Sequence, residues 1–174
     1  MAAISIWSRL LANTDQTQIV ISVNQQELRL IENQQIAASF AISTALNGVG
    51  NLENSGCTPL GLHKVRIKIG KDCPINTVFT ARRPTGEIFD SALAEASPNR
   101  DWILTRILWL TGCESGVNRG GQVDTLKRFI YIHGTPDSEP MGKPQSHGCI
   151  RMRNKDLVEL FDRVEKGTPV EIIL

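Results

Sequence analysis

Apolar positions recur along this chain with two periods, and the shorter one dominates. Ile19 to Val23 is apolar and largely β-branched, Glu27-Leu-Arg-Leu-Ile31 alternates polar and apolar, and Ile36 to Ile42 reads as a third strand. Asn24-Gln25-Gln26 and Glu32-Asn33-Gln34-Gln35 separate them, which is the spacing of an antiparallel meander. His63 to Ile69 sets Val65, Ile67 and Ile69 on one face. A short strand is predicted over Val78 to Arg82, a turn at Pro84-Thr85-Gly86, and a core-crossing strand over Trp102 to Leu110 with Arg106 in its middle. Lys127 to His133 is a further strand whose parity puts Phe129, Tyr131 and His133 on one face and Ile130 and Ile132 on the other. Val170 to Leu174 closes the chain as a strand.

The helical period appears at one strong place. Leu157, Leu160, Phe161 and Val164 form an apolar stripe over Lys155 to Lys166, with Asn154 as cap and Gly167 and Thr168-Pro169 as the stop. Ser91 to Ala96 makes a brief helix. Residues 43 to 61 and 111 to 126 are long glycine-rich loops, which in a compact domain point to function. Pro136, Pro140 and Pro144 stiffen the loop over 134 to 145. The fold class is mainly β with minor α, in one domain over residues 1 to 174.

Composition narrows the partners. Of 174 residues, 41% are hydrophobic and 21% charged, and the net charge of +1 gives no general attraction to nucleic acid. No apolar run approaches the roughly 18 residues of a membrane span. The first residues, Met1 to Trp7, lack a basic leader region, and Ser8-Arg9 cuts their apolar stretch short. The expected location is therefore the cytoplasm, or the periplasm if a signal has been removed. Cys57, Cys73, Cys113 and Cys149 contain no Cys-x-x-Cys pair. With one in use, three remain, an odd number better suited to a reducing compartment.

The chemistry gathers in Ser146-His147-Gly148-Cys149-Ile150-Arg151-Met152, read with His133-Gly134. A cysteine nucleophile attacks as thiolate and needs an imidazole to take its proton. His147 is two residues from Cys149, too close in sequence for good proton-transfer geometry. His133 comes from a separate strand, so it is the preferred base, with a backbone carbonyl near Gly134 to orient its other nitrogen. The amides of Gly148 and Cys149 are candidate oxyanion donors, and the reaction class is acyl transfer through a thioester.

These residues resemble the catalytic domain of the L,D-transpeptidase, YkuD-like family, whose signature is a histidine, a gap, then Ser/Thr-His-Gly-Cys. Thr58-Pro59-Leu60-Gly61, the early meander and the terminal Gly-Thr-Pro-Val strand are similar too, so the likeness covers about residues 17 to 174. The resemblance implies a β-sandwich-like domain with its site at one end. It implies Cys149 as nucleophile, His133 as base oriented by the Gly134 carbonyl, and Gly148 at the oxyanion hole. Ser146, His147 and Arg151 would meet the substrate. The implied reaction cuts the bond between meso-diaminopimelate and D-alanine in peptidoglycan stem peptides. Water as acceptor makes a carboxypeptidase; an amine makes a transpeptidase. Carbapenem-type β-lactams are the implied covalent inhibitors, and no cofactor or metal is implied.

Three functions compete. The N-terminal reading favours a cytoplasmic L,D-carboxypeptidase of wall recycling. A wall-crosslinking transpeptidase is the alternative, and a non-catalytic peptidoglycan-binding module is a third. Other chemistries fail on spacing. No Gly-Lys-Ser/Thr follows the glycine-rich loop, so it is no phosphate cradle. His63, Cys57 and Cys73 match no zinc pattern. A caspase-like arrangement needs a longer His-to-Cys interval and a Gln-Ala-Cys stretch. Cys57, Cys73 and Cys113 read as small hydrophobes, Arg153 as surface, Trp102 and Trp109 as core, and Asn118 and Asp124 as residues shaping the cleft.

Overall fold

The computed structural model describes residues 16–174, so the leader reading at Met1 to Arg9 lies outside the described residues. The meander forms as expected: β1 (Gln18–Ser22), β2 (Glu27–Glu32) and β3 (Gln35–Ser43) pair antiparallel, with a bulge between Leu30 and Ile31. There follow β4 (Gly61–Ile69), β5 (Thr77–Thr80), β6 (Arg83–Ile88), a short helix α1 (Ser91–Ala96) and β7 (Ile103–Gly112). A 3-10 turn at Gly121–Val123 precedes β8 (Tyr131–Gly134), β9 (Ile150–Met152), the longer helix α2 (Asn154–Arg163) and β10 (Pro169–Ile173).

The strand order runs β4-β10-β1-β2-β3-β9-β8-β7, and β7 pairs back onto β4. The sheet therefore closes on itself, which leaves those eight strands without a free edge. The first part of β7 instead carries the β5–β6 hairpin, with Val78 opposite Leu104. Alternating residues point into one core: Ile19, Ile21, Leu28, Leu30, Ile42, Ile132, Ile150 and Met152 join Leu157, Leu160 and Phe161 of α2 in a single buried cluster. Burying a side chain such as Phe161 contributes about 1.5–3 kcal/mol.

Four local expectations are corrected. The turn of the hairpin is Ala81-Arg82, both in the left-handed region, while Pro84 to Gly86 lie inside β6. A proline is tolerated there because β6 is an edge strand. The strand expected from Lys127 begins only at Tyr131, since Phe129 has φ +57° and Arg128 N–H bonds back to Asp124 O in a turn. Asn154 does not cap α2, because Arg153 holds that position. Asn154 is buried instead, accepting from Thr105 Oγ1 at 2.6 Å and donating to Thr135 O at 2.9 Å. The helix also ends at Arg163 rather than Lys166. There Lys68 Nζ donates to the Phe161 and Val164 carbonyls, a cation on the negative helix end.

His63 gives the fold a pH dependence. It is buried on β4, with Nδ1 2.9 Å from Gly61 O and Nε2 3.1 Å from Thr125 Oγ1, and burial pushes its imidazole down to about 4. The unfolded chain takes up this proton near its ordinary 6.5 and the folded chain does not. The neutral form's contribution is thus complete above pH 6.5 and is lost as pH falls towards 4, about 3 kcal/mol in all. Urea midpoints should fall over that window, and less steeply in His63→Gln. Equal slopes in the two proteins would remove His63 as the cause.

Candidate active site

β8 and β9 run parallel, with Ile132 opposite Ile150, His133 opposite Arg151 and Gly134 opposite Met152. Side chains alternate along each strand, so Ile132, Ile150 and Met152 enter the core while His133 and Arg151 take the opposite face. Extending the register one step brings Tyr131 beside Cys149, and the Tyr131 N–H donates to Cys149 Sγ at 3.4 Å. The thiol in turn donates to Phe129 O at 3.4 Å. His133 and Cys149 therefore share one face of two adjacent strands, one pleat apart.

His133 is almost fully buried, and its Nδ1 lies 2.8 Å from Gly134 O. A carbonyl only accepts, so Nδ1 carries the proton and Nε2 keeps the free lone pair of a base. Burial pulls the His133 pKa below its ordinary value; the Gly134 carbonyl and Asp101 oppose that shift, and Arg151 adds to it. Cys149 is partly exposed, and desolvation pushes its thiol up to about 12. The Tyr131 N–H, Arg151 and Arg128 work against that rise, and Asp101 works with it. Both shifts favour the neutral thiol and the neutral imidazole.

The turn before Cys149 is clamped from several sides. Ser146 Oγ donates to Cys149 O at 2.5 Å and accepts from Gly148 N–H at 3.2 Å. Thr58 Oγ1 donates to Gly148 O at 3.0 Å and accepts from Ala45 N–H at 3.0 Å, which gives Thr58-Pro59-Leu60-Gly61 its part in the site. Ser146, expected to touch substrate, is buried and serves as this clamp. The Gly148 N–H, expected at the oxyanion hole, is engaged by Ser146 in this arrangement. Gly148 has φ +136°, a conformation side chains rarely adopt, so glycine is required by the turn. Gly134 is required by crowding: an added Cβ would sit 2.3 Å from Asn154 Oδ1 and 2.6 Å from Leu104 O. Gly134→Ala should cost about 1–3 kcal/mol in a denaturant titration, the range for overpacking; an unchanged midpoint would contradict this contact.

Two clefts meet at His147, whose side chain is 80% exposed. One, of about 150 Å³, is lined by Asp101, Trp102, Thr135, Glu139, His147 and Arg151. The other, of about 380 Å³, is lined by Glu53, Asn54, Lys127, Arg128, Phe129 and His147. In the first, Arg151 is almost buried and donates to Asp101 Oδ1 at 2.8 Å, with Glu139 at 3.9 Å, while its Nε has no partner. His147 Nδ1 is 3.6 Å from Asp101 Oδ2. In the second, Arg128 donates to Cys57 O at 2.7 Å and Gly50 O at 3.1 Å, pinning the loop over 43 to 61 beside the nucleophile.

Sequence reasoning missed Asp101, Arg128 and Tyr131. Asp101 follows an irregular stretch and Tyr131 acts through its backbone, so neither leaves a motif. Trp109, expected in the core, is half-buried and packs edge-on to Tyr131 beside Cys149. Asn118 and Asp124 are not in the lining of either cleft. Asn118 binds the Leu60 and Leu62 carbonyls, and Asp124 accepts from Gly120 and Lys127 N–H. Among the described residues, no three His, Cys, Asp or Glu side chains gather to hold a metal ion. No helix among them is long and apolar enough to cross a membrane.

The family model described as the L,D-transpeptidase catalytic domain, YkuD, matches residues 16–172. The chain belongs to this family. A Bacillus subtilis protein described as an L,D-transpeptidase, YkuD, is 50% identical over 46 residues, which are 26% of this chain and 28% of that protein. The match thus spans about a quarter of the relative. Among solved structures, the L,D-transpeptidase of Xylanimonas cellulosilytica superposes with a TM-score of 0.53 at 17% identity, covering 92% of this chain and 62% of that one. L,D-transpeptidase 3 of Mycobacterium tuberculosis, in complex with a faropenem-derived adduct, gives 0.54 at 17% identity, covering 91% and 60%. At those identities the likeness is one of fold. The L,D-transpeptidase domain is thus mostly strands with one longer helix, as its hydrophobic pattern implied.

Proposed function

We propose that this domain is an L,D-transpeptidase acting on peptidoglycan stem peptides. It would open the bond between meso-diaminopimelate and D-alanine and pass the acyl group to an amine. His133 Nε2 takes the Cys149 proton as sulfur attacks the carbonyl carbon. The C–S bond forms, the C–N bond breaks, and His133 returns the proton to the departing D-alanine amine. In the second half the acceptor amine attacks the thioester, its C–N bond forms as C–S breaks, and its proton returns to the sulfur through His133. The depressed pKa of His133 keeps the base neutral, and the raised pKa of Cys149 makes the proton transfer necessary.

One observation favours an amine over water: two clefts meet at His147, two residues from Cys149, and offer room for a donor and an acceptor. The carboxypeptidase reading rested on the N-terminal residues, which say nothing about the clefts. The transpeptidase reading places the enzyme at the wall, outside the cytoplasm. The test is to incubate the protein with a free stem tetrapeptide, with and without a second stem peptide, and to read products by mass spectrometry. A crosslinked dimer is expected. Tripeptide alone, even with acceptor in excess, would make it a carboxypeptidase and favour a cytoplasmic location. Intact peptide and no β-lactam adduct would leave a binding module.

A further inference from the structure

At the tip of the β5–β6 hairpin, Ala81 and Arg82 lie at φ 48° and 68°. Two-residue turns of this kind usually hold Asn and Gly, because other side chains are strained there. Such strain persists where surrounding contacts over-determine the conformation, and it clusters at functional sites. Here the contacts belong to Arg82. Its guanidinium lies 5.0 Å from the Trp109 ring centroid and 4.8 Å from that of Phe129, and Nη1 donates to Tyr131 Oη at 3.5 Å. Trp109 is 5.6 Å from Tyr131 and 5.8 Å from Phe129, centroid to centroid. Two ring faces and the Tyr131 hydroxyl thus hold one cation, and among the described residues Arg82 makes no ion pair with a carboxylate.

The box is also a wall of the nucleophile's site. The Phe129 carbonyl and the Tyr131 N–H are the groups that hold Cys149 Sγ, and Trp109, Tyr131 and Cys149 pack in one cluster. Phe129 is 49% exposed and Arg82 half-buried, so the box opens to solvent. We propose that Trp109, Phe129 and Tyr131 form a cation subsite beside Cys149, filled at rest by the protein's own Arg82. The ammonium group of an incoming amine acceptor takes Arg82's place. The inference rests on the acyl-transfer reading above and names what the acceptor must carry.

The physics is a competition. Ring faces attract any cation set over them, and a tethered guanidinium lowers the apparent affinity for a free one by the fraction of time it occupies the box. Displacing Arg82 also frees the strained turn. The bound ammonium gives a proton to water before it attacks, and the exchange of C–S for C–N bonds then follows as described.

The test uses the full chain with Cys149→Ala, which binds without turnover, and n-butylammonium chloride as the probe. Binding is read from the Trp109 indole N–H in an NMR titration. Adding Arg82→Ala should tighten the probe about tenfold. Phe129→Leu in that background, a change at an exposed side chain, should reverse the gain, and n-butanol should show none. A Trp109 signal unmoved by the probe, equal affinity with and without Arg82, or equal tightening towards n-butanol would overturn the subsite. Because no turnover is involved, those outcomes leave the acyl-transfer reading standing. That reading fails separately, if Cys149 forms no adduct with a β-lactam.

Discussion

Cys149→Ala should leave a folded protein with no acyl transfer, a loss of at least about 10⁴-fold in turnover. The side chain it removes is small and sits at the edge of the cluster of Phe79, Ile107 and Tyr131, so the thermal midpoint should move by only a few degrees. Two of the other thiols are engaged elsewhere. Cys113 follows β7 and lines a separate cleft with Glu171 and Gly167, and partial desolvation raises its pKa. Cys57 faces the Asn47 and Ser55 carbonyls. Measured with a stem tetrapeptide and mass spectrometry, residual activity within tenfold of the parent would remove Cys149 from the nucleophile role.

His133→Asn should cost about 10²–10⁴-fold in the rate of Cys149 acylation at neutral pH, the usual weight of a general base. The thiol held up to about 12 explains why the base matters: at neutral pH almost no thiolate exists without it. Asparagine can still donate to the Gly134 carbonyl, so the pocket should stay filled. The signature is in the pH profile. The parent should acylate at a rate nearly flat across neutral pH, because burial holds the His133 pKa below its ordinary value. The variant should gain about tenfold per pH unit as hydroxide replaces the base, up to the thiol's own pKa. Stopped-flow acylation by a β-lactam at several pH values checks this. Parallel profiles in the two proteins would mean that His133 takes no proton from the thiol.

The period-2 pattern made most strands legible, and the stripe of Leu157, Leu160, Phe161 and Val164 made α2 legible, because both periods follow from burying one face. The hairpin was not legible. Its turn is built from Ala81 and Arg82, which carry no turn signal, while Pro84 and Gly86 carry one and lie in a strand. The strand β9 has three residues and borrows its pairing from β3 and β8, so no local pattern marks it.

In the site, the motif singled out Cys149 and His133 as candidates because their chemistry needs those residue types. Strand parity alone assigned Phe129 to the face of His133, and the turn at Phe129 broke that parity. What it delivered instead was a backbone carbonyl to the sulfur. Arg151, expected to meet the substrate, has its guanidinium held by Asp101, a pairing set by loop placement across 50 positions. Ser146 looked like a contact for substrate and proved to be the clamp of the turn, because the left-handed step at Gly148 turns its hydroxyl back onto the chain.

The central claim is that Cys149 becomes the acyl carrier with His133 as its base. The most direct measurement is to expose the protein to a carbapenem, record the intact mass, and map the adduct by peptide sequencing across Cys57, Cys73, Cys113 and Cys149. The account predicts one added drug mass, confined to Cys149, absent in Cys149→Ala and strongly slowed in His133→Asn. A stoichiometric adduct on any other cysteine, or an unmodified Cys149 in protein that binds the drug, would contradict it.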